Sequence, residues 1–295
     1  MASALSLSLE KNICVICRNI CQPIRHLPQF AEYRRIMDNG GDPFWPNSTV
    51  KHFRHPARYR TPIRRSPSSP NLSRLFKRWL AFAVGFFLLS SLVLVGILRY
   101  LPAPTSAFML HQHIEDLAAG KPYRAVTQQW ISAGHISPHA FAAVIASEDQ
   151  LFYQHNGFDV DAITKAFRQY ARGGKLRGAS TISQQVAKNL FLSPAKNFGR
   201  KALEIWFTLL IEAFWSKQRI LEMYLNIAEF GDHLFGIEAA SRRYFGVPAK
   251  QLSSAQAALL AATLPNPILL RADQPSAYLH KRQSWILGQM RANGV

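Results

Sequence analysis

The most constraining feature of this sequence is a long apolar run without charge. From Trp79 to Leu98, 20 consecutive residues lack an acidic or basic side chain. A helix of this length spans the hydrocarbon core of a bilayer, about 30 Å thick, so the run predicts a transmembrane helix. A buried soluble helix is the weaker alternative, and a cleavable signal peptide is disfavoured because it lies at the N-terminus and has a shorter apolar core.

The charges on either side of this run indicate its orientation. Arg99 is the only basic residue close on its C-terminal side, and basic residues collect on the cytoplasmic side of membrane helices. We therefore expect a cytoplasmic tail over 1–73, an anchor over 74–100 and an exported domain over 101–295, outside the inner membrane. The basic residues before the run are Arg64, Arg65, Arg74, Lys77 and Arg78.

The N-terminal segment is basic and rich in proline. Residues 1–78 carry 14 basic and 4 acidic side chains, which together with few apolar positions predicts disorder. The stretch from Lys51 to Arg78 contains nine basic and no acidic residues, which suits anionic inner-membrane lipids, whereas few aromatics argue against nucleic acid. Cys14, Cys17 and Cys21 are the only cysteines and lie in this N-terminal segment, so the exported part has no disulfide framework. A metal site at these three cysteines would lack a fourth ligand, for which His26 is the only near candidate.

Beyond Pro104 the apolar spacing is helical almost throughout, and we find no convincing alternating strand. The fold class expected is therefore mainly α. Asp159 or Asp161 is expected to cap one helix, Ser216 another, and Thr181 with Gln184 to form a capping box. Helices are predicted over 138–148, 159–172, 180–191, 200–215, 216–226, 236–244, 254–264 and 275–292.

The first candidate site begins at the end of an apolar helix. Glu148 follows "AAVIAS", so its carboxylate should be partly desolvated, which raises its pKa and suits it to proton transfer. Asp149, Phe152 and His155 are near enough to support it. The alternative for this stretch alone is an incidental acidic pair at a helix end.

Two further polar clusters follow. "RGASTISQQVAKN" concentrates hydrogen-bonding side chains on a helix and its approach, which suits a sugar or phosphate, the alternative being a capped surface helix. In "GRKALEIWF", Glu204 lies on an otherwise apolar helix, where a charge is usually paired or functional, and Arg200 with Lys201 could neutralise an anionic leaving group. The first cluster comprises Ser180, Thr181, Gln184, Gln185, Lys188 and Asn189.

In this order and spacing, the motifs resemble the glycosyltransferase domain of bifunctional penicillin-binding proteins, and especially the monofunctional biosynthetic peptidoglycan transglycosylases. The resemblance covers about residues 100–290 and implies a lysozyme-like helical fold with a head lobe and a smaller membrane-touching lobe. No transpeptidase motifs follow, so no transpeptidase activity is expected. The matching motifs are E-D-x-x-F-x-x-H-x-G from Glu148 to Gly157, G-x-S-T-x-x-Q-Q from Gly178 to Gln185, R-K-x-x-E from Arg200 to Glu204, and I-L-E-x-Y-L-N from Ile220 to Asn226.

The resemblance also implies roles. Glu148 would be the general base on the 4-hydroxyl of a lipid II acceptor, and Glu204 would position cations or a divalent ion. Lys188, Arg200 and Lys201 would offset charge on the departing undecaprenyl pyrophosphate. The remaining predicted substrate contacts are Asp149, Phe152, His155, Ser180, Thr181, Gln184, Gln185 and Asn189.

Partners and alternatives follow from the same resemblance. Lipid II, the growing glycan strand and inner-membrane lipids are the expected partners, with penicillin-binding and division proteins as further candidates and no nucleic acid. No cofactor is required; a divalent cation, Mg or Mn, stays open. A lysozyme-type lytic enzyme would give the cations no role, because its leaving group is neutral. A non-catalytic scaffold of the cell-wall machinery is the alternative from a different class.

Overall fold

The structure, a computed structural model, describes residues 72–173, 180–195 and 197–294. The cysteines, Gly178 and all of the predicted tail except Leu72 and Ser73 lie outside these residues. Within them are ten α-helices, three short strands and two 3-10 turns, so the expectation of a mainly α fold is confirmed. The helices are α1 (Leu72–Leu98), α2 (Ala107–Ala118), α3 (Pro138–Glu148), α4 (Val160–Ala171), α5 (Ile182–Phe191), α6 (Phe198–Phe214), α7 (Lys217–Ile227), α8 (Ile237–Phe245), α9 (Ser254–Thr263) and α10 (Ala277–Ala292).

Helix α1 contains the apolar run. The segment Ser73–Leu98 is long and apolar enough to cross a membrane, with a mean hydropathy of 2.5 in its most apolar window. Most of its large side chains are exposed; Phe82, for example, is 67% exposed. A helix with exposed apolar side chains on most of its surface is consistent with a membrane anchor.

The C-terminal end of α1 is attached to α6 and α7. The indole of Trp206 donates to the hydroxyl of Ser91 at 3.1 Å, and that of Trp215 donates to the carbonyl of Val95 at 2.9 Å. The guanidinium of Arg219 donates to the carbonyl of Leu98 at 2.8 Å. Of these acceptors, the carbonyl of Leu98 belongs to the helix end, where backbone carbonyls lack an intrahelical partner, whereas the carbonyl of Val95 also accepts from the N–H of Arg99.

The predicted capping residues are confirmed. Asp159 caps α4, Ser216 caps α7, and Thr181 with Gln184 forms a capping box at α5. Each side-chain oxygen accepts a hydrogen bond from a backbone N–H that would otherwise have no partner. These caps fix where α5 and α7 begin, and with them the direction of the polar side chains on α5.

The core lies around α7 and α9. All residues of α7 from Met223 to Ile227 are buried, and α9 is buried from Ala257 to Thr263. Helix α5 packs against α6 and α7, while α9 packs against α3 and α10. Glu148 at the end of α3 meets Gln185 of α5 directly, and the third group of predicted site residues lies on α6, which packs against α5.

A small sheet departs from the sequence analysis, which found no convincing strand. Strands β1 (Thr127–Gln128), β2 (Glu229–Gly231) and β3 (Leu234–Phe235) form a sheet in the order β1-β3-β2, with β1 parallel and β2 antiparallel to β3. Strands of two or three residues are too short for an alternating pattern to be visible.

Candidate active site

Glu148 is the last residue of α3, and its side chain is 14% exposed. One carboxylate oxygen, Oε2, accepts from Nε2 of Gln185 at 3.1 Å. The other, Oε1, lies 3.4 Å from the Ser147 hydroxyl and 3.4 Å from Nη2 of Arg282. Burial raises the pKa of Glu148, and the hydrogen bond from Gln185 and the charge of Arg282 oppose that rise.

Gln185 is in turn held in place by a hydrogen bond from Tyr224 of α7. The phenol hydroxyl of Tyr224 donates to Oε1 of Gln185 at 3.1 Å, and the tyrosine is 1% exposed. Burial raises the pKa of Tyr224 well above its ordinary value, with a further contribution from the charge of Glu148. The phenol is therefore a permanent donor at this position, and the sequence analysis did not identify it.

Asp149 points away from Glu148 and organises the neighbouring loop. Its carboxylate accepts from Nε2 of His155 at 2.9 Å and from the backbone N–H of Ile182 at 3.0 Å. Nδ1 of His155 accepts from the N–H of Gly157 at 3.1 Å, so the hydrogen bonds assign a neutral imidazole with the proton on Nε2. Phe152 is fully buried beside this pair. The structure thus places Asp149, Phe152 and His155 in the support of the loop between α3 and α4.

The start of α5 uses its polar groups within the protein. The hydroxyl of Thr181 donates to the carbonyl of Gly157 at 2.7 Å, and Gln184 completes the capping box from a position that is 4% exposed. Ser180 is exposed, whereas Asn189 is half-buried and its Oδ1 has no partner among the described residues. Ser180, Gln185 and Asn189 are therefore better placed for a ligand than Thr181 and Gln184.

The third motif forms a compact ion cluster on α6. Glu204 is 3% exposed; its Oε2 accepts from Nη1 of Arg200 at 2.7 Å and its Oε1 from Nζ of Lys201. Nε of Arg200 is buried without a partner among the described residues. Two cations share one carboxylate, so the cluster has one positive charge in excess.

Lys188 of α5 is influenced by the charges of both Glu148 and Glu204. Burial lowers its pKa, the charges of Arg200 and Lys201 lower it further, and the charges of Glu204 and Glu148 raise it. In the described part of the chain Lys188 forms no ion pair; its Nζ lies 5.4 Å from the centroid of the Phe108 ring. It is a partly buried cation with hydrogen-bonding capacity to spare.

A second buried network, which the sequence analysis missed, supports the loop between α3 and α4. Glu212 of α6 accepts from the hydroxyl of Ser183 and from Nζ of Lys217 at 2.9 Å. Lys217 also donates to the carbonyl of His155 at 2.7 Å and lies 4.4 Å from the ring centroid of Phe152. The apolar spacing around Glu212 gave no indication of this pairing.

The structure contains a separate cavity of about 610 Å³ that includes none of the predicted site residues. It is lined by residues from α2, the β2–β3 turn, α8 and the segment before α10, among them Arg124, His233, Arg243 and Arg271. Among the described residues, no three His, Cys, Asp or Glu side chains are grouped so as to hold a metal ion.

A family model described as Transglycosylase matches residues 115–291, which include every predicted site residue. The chain belongs to this transglycosylase family.

Similar proteins are identical to this chain at about half of the aligned positions. A biosynthetic peptidoglycan transglycosylase of Pasteurella multocida is 53% identical over 215 residues, covering 73% of this chain and 87% of that protein. Proteins with the same name are 50% identical in Haemophilus influenzae, over 74% of this chain and 92% of theirs, and 49% identical in Pseudomonas putida, over 76% and 94%.

Proposed function

We propose that this protein is a peptidoglycan glycosyltransferase that polymerises lipid II into linear glycan strands. The observation that carries the proposal is that one cation, Lys188, feels the charges both of Glu148, a largely buried carboxylate, and of Glu204, which holds Arg200 and Lys201. A base and an anion-stabilising group are the two elements that transfer of a glycosyl group from a pyrophosphate requires. Membership of the transglycosylase family and the names of the similar proteins support the same conclusion.

Glu148 acts as the general base. The 4-hydroxyl oxygen of the acceptor sugar attacks the anomeric carbon of the donor, the bond from that carbon to the pyrophosphate oxygen breaks, and the hydroxyl proton passes to Glu148. A single displacement inverts the anomeric carbon, from an α-linked donor to a β-linked product. Because burial raises the pKa of Glu148, its carboxylate binds a proton more strongly than an exposed glutamate does.

The cations act on the other side of the reaction. Undecaprenyl pyrophosphate leaves as an anion, and Lys188, Arg200 and Lys201 offset its charge. Glu204 holds Arg200 and Lys201 in place, and Lys188 is the cation with no ion pair of its own in the described part of the chain. A lytic enzyme with a neutral leaving group would leave this cluster unexplained.

The polar side chains at the start of α5 complete the site. Ser180, Gln185 and Asn189 orient donor sugars and phosphate, while Thr181 and Gln184 fix the helix that carries them. Asp149, Phe152 and His155 keep the adjoining loop in place. Both oxygens of Glu204 already accept from cations, so we assign no step to a divalent ion.

The membrane arrangement follows from two apolar surfaces. Helix α1 spans the inner membrane with the N-terminus in the cytoplasm, and residues 101–295 form the periplasmic catalytic domain. An exposed apolar stripe on α4 gives this domain a surface for the bilayer in which the polyprenyl substrate lies. The side chains of the stripe, spaced three or four apart, are Val160, Ile163, Phe167 and Tyr170. Penicillin-binding and division proteins stay predicted partners.

A polymerisation assay tests the proposal. Detergent-solubilised protein is incubated with labelled lipid II, and the products are separated on a gel. We expect polymer from the wild type, none from Glu148→Gln, and wild-type amounts from Glu115→Gln, which makes the same change at an exposed position. Absence of polymer from the wild type, under conditions where a known polymerase works, would favour the scaffold instead.

A further inference from the structure

Three helices meet in one chain of hydrogen bonds that ends at Glu148. Tyr224 of α7 donates to Oε1 of Gln185 at 3.1 Å, and Nε2 of Gln185 donates to Oε2 of Glu148 of α3 at 3.1 Å. The chain begins in the core, where Tyr224 is 1% exposed, and ends at a carboxylate that is 14% exposed. It therefore connects the core to the proposed base.

The hydroxyl of Tyr224 decides which way the Gln185 amide faces. An amide has one acceptor end and one donor end, and an ionised carboxylate can only accept. When the phenol donates to Oε1, the amide NH₂ must point toward Glu148. Without the phenol, the amide can rotate about its last torsion, which is broad for glutamine, and the carboxylate loses a fixed donor.

We propose that Tyr224 is a positioning residue for the reaction, which acts through Gln185 to hold the carboxylate of Glu148 in one orientation. This inference rests on the proposed role of Glu148 as the base. It assigns Gln185 a second task beside its predicted contact with substrate, and it gives the tyrosine of the I-L-E-x-Y-L-N motif a part in the chemistry.

Every other group that faces Glu148 remains when the phenol is removed. Arg282 approaches from α10 at 3.4 Å, the Ser147 hydroxyl lies at 3.4 Å, and Lys188 of α5 contributes its charge. Burial raises the pKa of Glu148, and of all the groups that lower this pKa, Gln185 has the largest effect through its hydrogen bond. Loosening it raises the pKa of Glu148, so a base that must be ionised becomes active only at higher pH.

Tyr224→Phe is the direct test, with kcat and KM for lipid II measured across pH. We expect kcat at neutral pH to fall about threefold to tenfold, the effect of one hydrogen bond, with KM near the wild-type value. The acid limb of the kcat profile should move to higher pH. Tyr244→Phe is the matched control, because it also removes one phenol oxygen, which donates to the carbonyl of Phe230 at 3.0 Å. It should leave the acid limb unchanged.

A double-mutant cycle tests whether the tyrosine acts through the amide. Gln185→Met keeps the shape and removes both polar atoms, so it should shift the acid limb in the same direction, even if Tyr224→Phe fails to fold. Adding Tyr224→Phe to Gln185→Met should then cause no further shift. An acid limb that stays in place in Gln185→Met, or additive effects in the cycle, would overturn the inference.

The outcomes separate the two proposals. If the wild type makes polymer, Glu148→Gln makes none and Tyr224→Phe behaves like Tyr244→Phe, the base stands and the positioning role is wrong. If the wild type makes no polymer from lipid II, both are overturned.

Discussion

Nε2 of His155 lies 2.9 Å from Oδ1 of Asp149, and the same carboxylate accepts the backbone N–H of Ile182 at 3.0 Å through Oδ2. Asp149 thus ties the loop after α3 to the first turn of α5, although Ile182 lies 33 positions further along the chain. Glu148 directly precedes Asp149. The hydrogen bonds that hold Asp149 in place therefore also hold the backbone of the proposed base in place.

Asp149→Asn should weaken both the fold and the reaction. An amide has only one acceptor oxygen, so its NH₂ group must face either the His155 N–H or the Ile182 N–H. Leaving a buried donor without its partner costs about 1–3 kcal/mol of the free energy of unfolding, and the melting temperature should fall by several degrees. Asp159→Asn is the control, since asparagine caps a helix as well as aspartate does. An unchanged melting temperature for Asp149→Asn would contradict the role given to this carboxylate.

Gly157 is required for two reasons that substitutions can separate. Its φ is +88°, and a Cβ at this position would lie 2.8 Å from Cγ2 of Thr208 and 2.9 Å from Cγ of Glu212. Gly157→Ala should therefore lower the melting temperature and the polymerisation rate together, because it strains the backbone and displaces α6.

Gly120→Ala isolates the backbone contribution. Gly120 also has a positive φ, +62°, but a Cβ there would meet nothing within 4 Å. It should cost about 1 kcal/mol of stability and leave polymerisation intact. Equal destabilisation by the two substitutions would mean that the contacts with Thr208 and Glu212 do not matter.

Glu229 should make the folded protein less stable as the pH rises. Burial, with the charges of Asp232 and Glu115, raises the pKa of Glu229 to about 7, and its Oε1 is buried without a partner among the described residues. Between the ordinary pKa near 4.5 and 7 the folded state holds a proton that the unfolded state has released, so stability falls as the pH increases.

Glu229→Gln should remove this loss. The variant and the wild type should have similar melting temperatures at pH 4.5, and the variant should be the more stable at pH 8. Asp161→Asn serves as the control for charge alone, because Asp161 is exposed and is not among the groups that shift the pKa of Glu229. If the difference in melting temperature between the wild type and Glu229→Gln stayed the same from pH 4.5 to pH 8, the prediction would be refuted.

Glu204→Gln should uncover the repulsion within the cation cluster. The substitution removes the charge that raises the pKa of Lys188, while Arg200 and Lys201 continue to lower it. Lys188 then loses its proton at a lower pH, so the alkaline limb of the polymerisation profile should move to lower pH, with a drop in kcat of about tenfold or more. Glu222→Gln breaks a comparable helical ion pair with Arg219 and should leave the alkaline limb unchanged.

Local features of the site were predictable from the sequence, and long-range ones were not. The position of Glu148 at the end of an apolar helix is a property of its own segment. The capping box of α5 and the ion pair of Lys201 with Glu204 join side chains three residues apart, where helical spacing determines contacts. By contrast, Arg282 lies 134 positions from Glu148, and no periodicity indicates such a contact.

Tyr224 and Glu212 were missed for a different reason. Each occurs in a helix whose buried face is mostly apolar, so the pattern indicates packing and hides the polar atom at the end of the side chain. Thr181 and Gln184 were predicted both as a capping box and as substrate contacts; the capping box is confirmed, and the substrate contacts stay a prediction.

The hydrogen bonds from Trp215 and Arg219 to the last turns of α1 have a consequence for how a polymer would grow. They join the last turns of the apolar helix, at Val95 and Leu98, directly to the end of α6 and to α7. With α1 in the bilayer, as proposed, such a joint would limit how far Glu148 can move relative to the lipid surface. Each sugar would then be added at a similar distance from the pool of lipid-linked donors, however long the strand becomes.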